Sequence, residues 1–392
     1  MITLLMSCDD YVFCYKGRFY AADQDHYDFY QRYLRVFDKL RLVTRCVYEE
    51  VLVSSRVPLD DPRIEYVPLP FFSGPIQYAM VYHKIGKLLC NITEGCDAAI
   101  LRLPSTVAMR TAGKVLNAGV PFATELVFDA KDALESATNG VERLLWRSIH
   151  KRMVKICRKA NGVSCVTAHY LQSHYTSELP SAFFANYSSL ALPKSFYTAE
   201  RKYPEKNEFV ISHVSSQVQY NGRKGYNQII EAVKILKQRG VNVRVLFAGP
   251  DYRNGIQLLS NLIKKLGIED RVKFIGRVSR QQLSDYLEAS DLYVMPTWAE
   301  GLPRVIIEAM AKGLPCITTP VSGNPELVSE HFLVKYSDVE VLADRIEELV
   351  KNKSVYEAES KGNFKKSLLY EASVLEKRRD SFYQKLKSCV KK

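Results

Sequence analysis

The chain has no uninterrupted apolar run of about eighteen residues, the length a helix needs to cross a hydrocarbon core. Its opening stretch, Met1-Ile-Thr-Leu-Leu-Met6, is short and has no basic flank, so neither a membrane-spanning nor a secreted protein is expected. Nine cysteines are scattered and odd in number, with no paired spacing for zinc or for a disulfide framework, which points to reduced thiols in the cytoplasm. The seven histidines form no metal-ligand pair. His169 and His174 lie five apart and share a helical face poorly, so no metal site is expected. Internal repeats, low-complexity tracts, zinc fingers, helix-turn-helix signals and aromatic-basic recognition motifs are also missing, and nucleic acid is not expected as a partner.

At 392 residues the chain exceeds what one core usually supports, so two domains are expected. Its 47% hydrophobic and 25% charged content is that of an ordinary globular protein. A net charge of +12 draws it to anionic surfaces, whether phosphate-bearing substrates, acidic lipid or nucleic acid, and charge alone does not choose among them. The excess is concentrated in residues 141–160, where seven Lys or Arg face one acid, Glu142. Val141, Leu145, Ile149, Met153 and Ile156 recur there at helical spacing, with Arg143, Arg147, Lys151 and Arg158 elsewhere on the wheel. Two accounts of this basic amphipathic helix stay open: core packing with a solvated basic face, or peripheral docking on the anionic inner face of a membrane.

Apolar strand runs near Ile2, Leu42, Ile64, Ala98, Pro121 and Val163, and again near Phe209, Val243, Val272, Leu292, Pro315 and Phe332, alternate with helical patterns. That alternation predicts an α/β protein with parallel, doubly wound sheets. Two Rossmann-like domains facing across a cleft follow: an amino-terminal one over residues 1–193, a polar, proline-broken linker over 194–207, a carboxyl-terminal one over 208–370, and a helical basic tail over 371–392. Residues 11–20 alternate around Lys16-Gly17 and predict a hairpin.

The chemistry is densest in Trp298-Ala-Glu300-Gly-Leu-Pro-Arg-Val-Ile-Ile-Glu308-Ala-Met-Ala-Lys-Gly-Leu-Pro-Cys-Ile-Thr318. Residues 291–295 read as a strand and 296–301 as the loop leaving its carboxyl end, where ligands sit in open parallel sheets. Pro303 suits the first turn of a helix whose apolar face is Ile306, Ile307, Met310 and Ala311. The helix aims unpaired N–H groups and its positive dipole end at the loop, which favours a phosphate. Glu300 lies before this helix. Glu308 lies within it, about two turns deeper, where a carboxylate can accept hydrogen bonds from a pair of ribose hydroxyls.

This Glu-x7-Glu run, continued by Pro315-Cys-Ile-Thr-Thr-Pro-Val-Ser-Gly-Asn-Pro-Glu326, resembles the retaining glycosyltransferases of family four, which have the GT-B fold. The similarity is dense over residues 272–328, fair from Phe209 and weak before it. The resemblance implies a nucleoside diphosphate sugar donor, UDP- or GDP-linked, with Glu300 against the donor sugar, Glu308 on the ribose, and the backbone of Gly301, Leu302 and Pro303 around it. Lys224-Gly225 is a second matching element, and its ammonium can approach a diphosphate as a point charge. The family commonly carries an Arg a few residues upstream. Residues 215–222 contain none, leaving Arg223 or Arg277 as the second cation. Gly276 and Arg277 fall where the family holds the nucleobase through backbone atoms. Pro121-Phe-Ala-Thr-Glu125-Leu-Val-Phe-Asp129 resembles the strand and loop that face the donor, which makes Glu125 and Asp129 acceptor-side candidates. The glycine-rich loop usual after the first strand is replaced by Cys8-Asp-Asp-Tyr11. The resemblance also implies that the tail crosses back to the first domain. The hairpin tyrosines, with Tyr27, Tyr30 and Tyr33, either fill the space between hairpin and helix or stack on sugar rings.

The implied reaction moves a hexose-type unit to a hydroxyl of a glycan or lipid-linked acceptor with retention. Lys224 and the helix dipole would stabilise the leaving diphosphate, so neither a divalent metal nor another cofactor is required. Two rival classes stay open. A sugar-nucleotide epimerase or hydrolase would consume donor without an acceptor, and a non-catalytic basic binding protein would bind anionic polymer and no nucleotide sugar.

Overall fold

Strand runs buried on both faces build two parallel sheets, each the core of one compact unit. The computed structural model describes residues 1–135 and 139–390. Unit 1 comprises residues 1–166, 171–187 and 376–392, and unit 2 comprises residues 167–170 and 188–375. Of the tail read over residues 371–392, Lys391 and Lys392 lie outside the described residues.

Unit 1 contains β1 (Thr3–Tyr15), β2 (Arg18–Ala21), β3 (Lys39–Tyr48), β4 (Val57–Pro58), β5 (Ile64–Pro70), β6 (Ala98–Leu103), β7 (Phe122–Leu126), β8 (Gly162–Cys165) and β9 (Phe183–Asn186). Its parallel order is β5-β3-β1-β6-β7-β8-β9. Leu4, Leu5, Met6, Ile100 and Leu101 are fully buried at its centre. β1 does not stop at Ser7. Its register against β3 shifts between Ser7 and Tyr11, and the strand continues to Tyr15 before turning at Lys16 (φ 47°) and Gly17 (φ 80°) into β2. Both turn residues have positive φ, as a two-residue hairpin turn with the right twist requires.

The helix Gly140–Arg158 divides along its length: Met153 and Ile156 are buried, whereas Val141 is 81% and Leu144 69% exposed. Core packing therefore accounts for its second half, and in the first half Trp146 lies against Phe128 with ring centroids 6.1 Å apart. Among the described residues no helix is long and apolar enough to cross a membrane. In unit 1 the helix Ala372–Ser388 lays Phe382 on Phe183, with centroids 5.0 Å apart, and stacks Tyr383 on Tyr33 at 5.1 Å.

Unit 2 contains β10 (Phe209–Val214), β11 (Val243–Ala248), β12 (Val272–Gly276), β13 (Leu292–Met295) and β14 (Cys316–Thr318), in the parallel order β12-β11-β10-β13-β14. The order reverses between β10 and β13, so the loops leaving those two strands meet at the switch point. The strand expected near Phe332 is a short 3-10 turn, Glu330–Phe332, followed by one bridge between Thr318 and Leu333.

Residues 194–207, read as a linker, are packed on unit 2. The Arg201 guanidinium donates to the carbonyls of Lys312 (2.7 Å), Leu287 (3.0 Å) and Ser290. It thereby satisfies the carboxyl ends of the helices Arg280–Glu288 and Arg304–Ala311 together. A Cβ on Gly313 would lie 2.3 Å from the Ala199 carbonyl, so the segment rests directly on backbone.

His213 of β10 is fully buried, donates from Nδ1 to the Val294 carbonyl at 2.8 Å, and meets the Tyr226 ring edge-on at 4.5 Å. Burial pushes its pKa down from 6.5 to about 3. Below the ordinary value the unfolded chain takes up a proton that folded unit 2 refuses, so stability is lost as the pH falls through this window. Between neutral pH and about pH 5, urea unfolding of the protein should lose roughly 2 kcal/mol that His213→Gln, with an amide donor for Val294, does not lose. Equal losses in the two proteins would show that His213 is not the titrating group.

Candidate functional site

At the switch point of unit 2 a glycine brings two loops to backbone contact. Gly225 has φ +76°, and a Cβ there would lie 2.0 Å from the Pro296 carbonyl oxygen, so no side chain is tolerated where the β10 loop crosses the β13 loop. Trp298 N–H donates to the Arg223 carbonyl at 3.1 Å and fixes the same crossing. The Lys224 ammonium consequently bonds the Glu300 carboxylate directly. Thr297 Oγ1 donates to the same oxygen at 3.3 Å, and Glu300 is only 8% exposed.

A second brace holds the loop from the other side. Gly323 N–H donates to the Gly301 carbonyl at 2.9 Å, and a Cβ on Gly323 would lie 2.7 Å from that oxygen. Asn324 fixes the bracing segment through bonds of 3.0 Å to Thr318 Oγ1 and to the Thr319 carbonyl. Glu326, at the end of the motif, is committed to backbone, accepting from the N–H groups of His169 (2.9 Å), Tyr170 (2.8 Å) and Ala168 (2.5 Å).

Pro303 is the cap residue of the helix Arg304–Ala311 rather than part of its first turn, and no side chain caps it. Among the described residues the N–H groups of Gly301, Leu302, Arg304 and Val305 have no partner. Unpaired N–H donors at the positive end of a helix are the kind of group that can hold a phosphate-like anion. Glu308 is half-buried and sits little more than one turn into the helix, shallower than two turns, because the helix begins at Arg304. Ser215, Gln217, Gln219, Arg223, Lys224 and Tyr226 line a cavity at this edge.

Arg223 and Arg277 are both exposed, and among the described residues neither forms an ion pair. Gly276 has φ +76°, and its carbonyl accepts from Gly249 N–H at 2.8 Å. Thr297, whose hydroxyl orients Glu300, escaped the sequence reading: a threonine after a strand carries no signal of its own. Among the described residues no group of three or more His, Cys, Asp or Glu is placed to hold a metal ion.

The acceptor-side assignments in unit 1 need correction. Glu125 is 3% exposed, and its oxygens accept from the hydroxyls of Tyr33 (2.9 Å), Tyr187 (2.9 Å) and Tyr383 (2.7 Å) and from Arg102 at 3.3 Å. Burial opposes its ionisation, but Arg32, Arg102, the Tyr383 hydroxyl and Arg379 together hold its pKa below the ordinary carboxylate value. It is a charged core strut. Asp129 is fully buried and occupied by His174 Nδ1 (2.7 Å), the Tyr175 hydroxyl (2.7 Å) and Lys131 N–H (2.8 Å). Neither carboxylate can meet an acceptor.

The missing glycine-rich loop has a structural counterpart. Asp9, in the irregular stretch of β1, accepts from Thr106 N–H (2.8 Å) and Val107 N–H (3.1 Å) at the start of the helix Thr106–Ala118. The helix end that could take a phosphate at the unit 1 switch point is filled by the protein's own carboxylate. Tyr30 and Tyr33 are fully buried, Tyr30 donating to Asp10 and Tyr33 to Glu125, each at 2.9 Å, so neither ring is open to a sugar.

Residues 198–366 match the sequence model of the family described as Glycosyl transferases group 1. Protein CapJ of Staphylococcus aureus is 24% identical over 348 residues, which is 88% of this chain and 85% of that protein. Anabaena HepE, solved in complex with UDP-glucose, superposes with a TM-score of 0.66 at 17% identity over 99% of this chain and 100% of HepE. WaaG, a glycosyltransferase involved in lipopolysaccharide biosynthesis, gives 0.63 at 16% identity over 97% and 99%.

Gly225→Ala forces a side chain into the Pro296 carbonyl at positive φ, which costs about 2–3 kcal/mol unless the two loops separate. Urea unfolding should show that loss, and an unchanged midpoint would mean that the crossing is not tight.

Proposed function

We propose that this chain, whose residues 198–366 match the glycosyl transferases of group 1 and which has the GT-B fold, is an enzyme that moves a hexose-type unit from a nucleoside diphosphate sugar, UDP- or GDP-linked, to a hydroxyl of a glycan or lipid-linked acceptor, with retention at the anomeric carbon. The observation that carries this reading is the Lys224–Glu300 pair set against the unpaired N–H groups of Gly301, Leu302, Arg304 and Val305. The diphosphate lies across those donors and Lys224. Glu308 accepts from the ribose hydroxyls, and Glu300 accepts from hydroxyls of the donor sugar. The bond between anomeric carbon and phosphate oxygen breaks, the acceptor oxygen bonds to the same face, and its proton passes to the departing phosphate oxygen. Fixed N–H dipoles and the ammonium stabilise the growing negative charge at no cost in reorganisation, so a metal ion is not needed for that task. Arg223, exposed beside Lys224, supplies the second cation more readily than Arg277, which lies on another loop. HepE was solved with UDP-glucose and WaaG serves lipopolysaccharide biosynthesis, which supports a uridine donor and a role in polysaccharide biosynthesis.

The reading extends to the cytoplasmic face of a membrane. On the helix Gly140–Arg158, Val141 and Leu144 stand exposed on the stretch that carries the seven basic residues, the pattern of an interfacial helix on acidic lipid. Nine free thiols accord with a reducing compartment.

Lys224→Ala should lower turnover at least about tenfold, the scale of a lost transition-state charge contact, and Glu308→Ala should weaken donor binding. A thermal-shift panel of nucleoside diphosphate sugars followed by nucleotide-release assays measures both. Wild-type behaviour in both variants would remove the site assignment, and nucleotide release without an acceptor would favour a hydrolase. Vesicles of phosphatidylglycerol should sediment the protein while phosphatidylcholine vesicles do not, and Val141→Glu with Leu144→Glu should abolish the difference. Equal sedimentation with both lipids would rule out the membrane contact.

A further inference from the structure

Among the described residues five non-glycines have positive φ: Lys16, Asn221, Arg253, Asn254 and Ser322. The first four are exposed, and Ser322 alone is buried, at 3% exposure. Ser322 (φ 47°) is the first central residue of the turn over residues 321–324, which is closed by Asn324 N–H donating to the Val321 carbonyl at 3.0 Å. Gly323 follows at φ −80°, ψ −1°. Positive φ on the first central residue, followed by that second conformation, is the pattern of a type II′ turn, which favours glycine in first place. Here serine takes that place and glycine comes second.

The serine also encloses a hydroxyl. Its Oγ is buried and has no hydrogen-bond partner. One residue thus combines a strained backbone with an unsatisfied polar atom, two penalties that glycine would remove together. The turn rests on the loop leaving β13. Gly323 N–H donates to the Gly301 carbonyl at 2.9 Å, and a Cβ on Gly323 would lie 2.8 Å from Leu302 Cδ1. Gly301 and Leu302 carry N–H groups without a partner at the approach to the helix Arg304–Ala311. The strained serine therefore stands one residue from the contact that positions those donors.

We infer that Ser322 is a further donor-site residue, whose hydroxyl donates to a phosphate oxygen of the nucleoside diphosphate received by the N–H groups of Gly301 and Leu302; the inference rests on the transferase reading above and adds a side chain to its diphosphate contacts. The neighbours select a phosphate oxygen over a sugar hydroxyl. N–H groups only donate, so the group they share must be rich in lone pairs, as a phosphate is, whereas a sugar hydroxyl brings a proton of its own. A serine hydroxyl turns its single proton toward such an oxygen by rotation about one bond. The rival occupant is a water enclosed between Ser322 and Asn324, whose Oδ1 is also buried without a partner. A water needs no strained side chain to hold it, and glycine in this turn would leave it more room.

The test is calorimetric titration of the full-length chain with whichever of UDP or GDP gives the larger thermal shift, and with the matching sugar nucleotides. Ser322→Gly should unfold in urea at the parent's midpoint or above, because glycine accepts the positive φ. It should nevertheless bind the nucleoside diphosphate at least about tenfold more weakly, the scale of a lost hydrogen bond to a charged group. A residue of purely structural importance does not lose affinity while stability is kept or gained. Ser322→Ala, which keeps the strain and loses the hydroxyl, should bind as weakly as the glycine variant, and it carries the test should that variant lose stability. Parent-like affinity in both variants overturns the inference in favour of the enclosed water. Weakened binding of sugar nucleotides with unchanged binding of the nucleoside diphosphate overturns the phosphate contact. Both of those results leave the donor site standing, whereas a parent protein that binds no nucleoside diphosphate and no sugar nucleotide overturns the transferase reading itself.

Discussion

The site in unit 2 depends on the backbone contact at Gly225. A chain leaving β10 reaches the chain leaving β13 only because no Cβ intervenes, and that approach puts Lys224 on Glu300. Everything else at the site follows from holding the β13 loop in place: Trp298 on Arg223, Gly323 on Gly301, and the helix Arg304–Ala311 with its uncapped amino end. The far end of that helix is fixed by Arg201, so a segment of polar, proline-broken composition sets the position of a helix more than a hundred residues away in sequence. Rigid placement of donors is what electrostatic stabilisation of a leaving group requires.

Unit 1 treats its charges in the opposite way. Asp9 fills a helix start, Glu125 joins three tyrosines to Arg102, and Asp129 holds His174 and Tyr175. Each is bound to the protein itself. Buried carboxylates survive only when partnered, and these are partnered so fully that none is left for a ligand. At the strand edge of unit 1 the rings of Tyr11 and Phe71 stay exposed, with the Arg45 guanidinium 5.6 and 5.8 Å from them.

Legibility in the sequence followed locality. The strand Phe209–Val214, the helix Tyr226–Gln238 and the turn at Lys16-Gly17 rest on short-range patterns and were readable. The Glu-x7-Glu run stands out as a candidate because both carboxylates and the helix start lie within a dozen residues. Glu125 was misread because its three tyrosine partners lie 92, 62 and 258 positions away, and nothing local distinguishes a core strut from a loop acid. The strap at residues 194–207 was misread for the same reason: Arg201 bonds to backbone carbonyls, which leave no trace in hydropathy. The strand near Phe332 failed differently, since an apolar run of that length is satisfied as well by one buried turn.

The resting pair of Lys224 and Glu300 has a consequence for the order of events on the proposed reaction path. An ammonium already neutralised by a buried carboxylate attracts a diphosphate less than a bare one does, and the carboxylate itself repels the phosphate. A free nucleoside diphosphate must part the pair and leave Glu300 buried without a cation, which is costly. An intact donor brings hydroxyls that donate to Glu300 as Lys224 turns to the phosphate, so both charges remain satisfied. On that proposed path the same pair would favour the complete donor over its spent nucleotide, because loss of the sugar would let Glu300 draw Lys224 back from the diphosphate. In the proposed reaction, product release and donor selectivity would then be two effects of one contact, set by the approach that Gly225 permits.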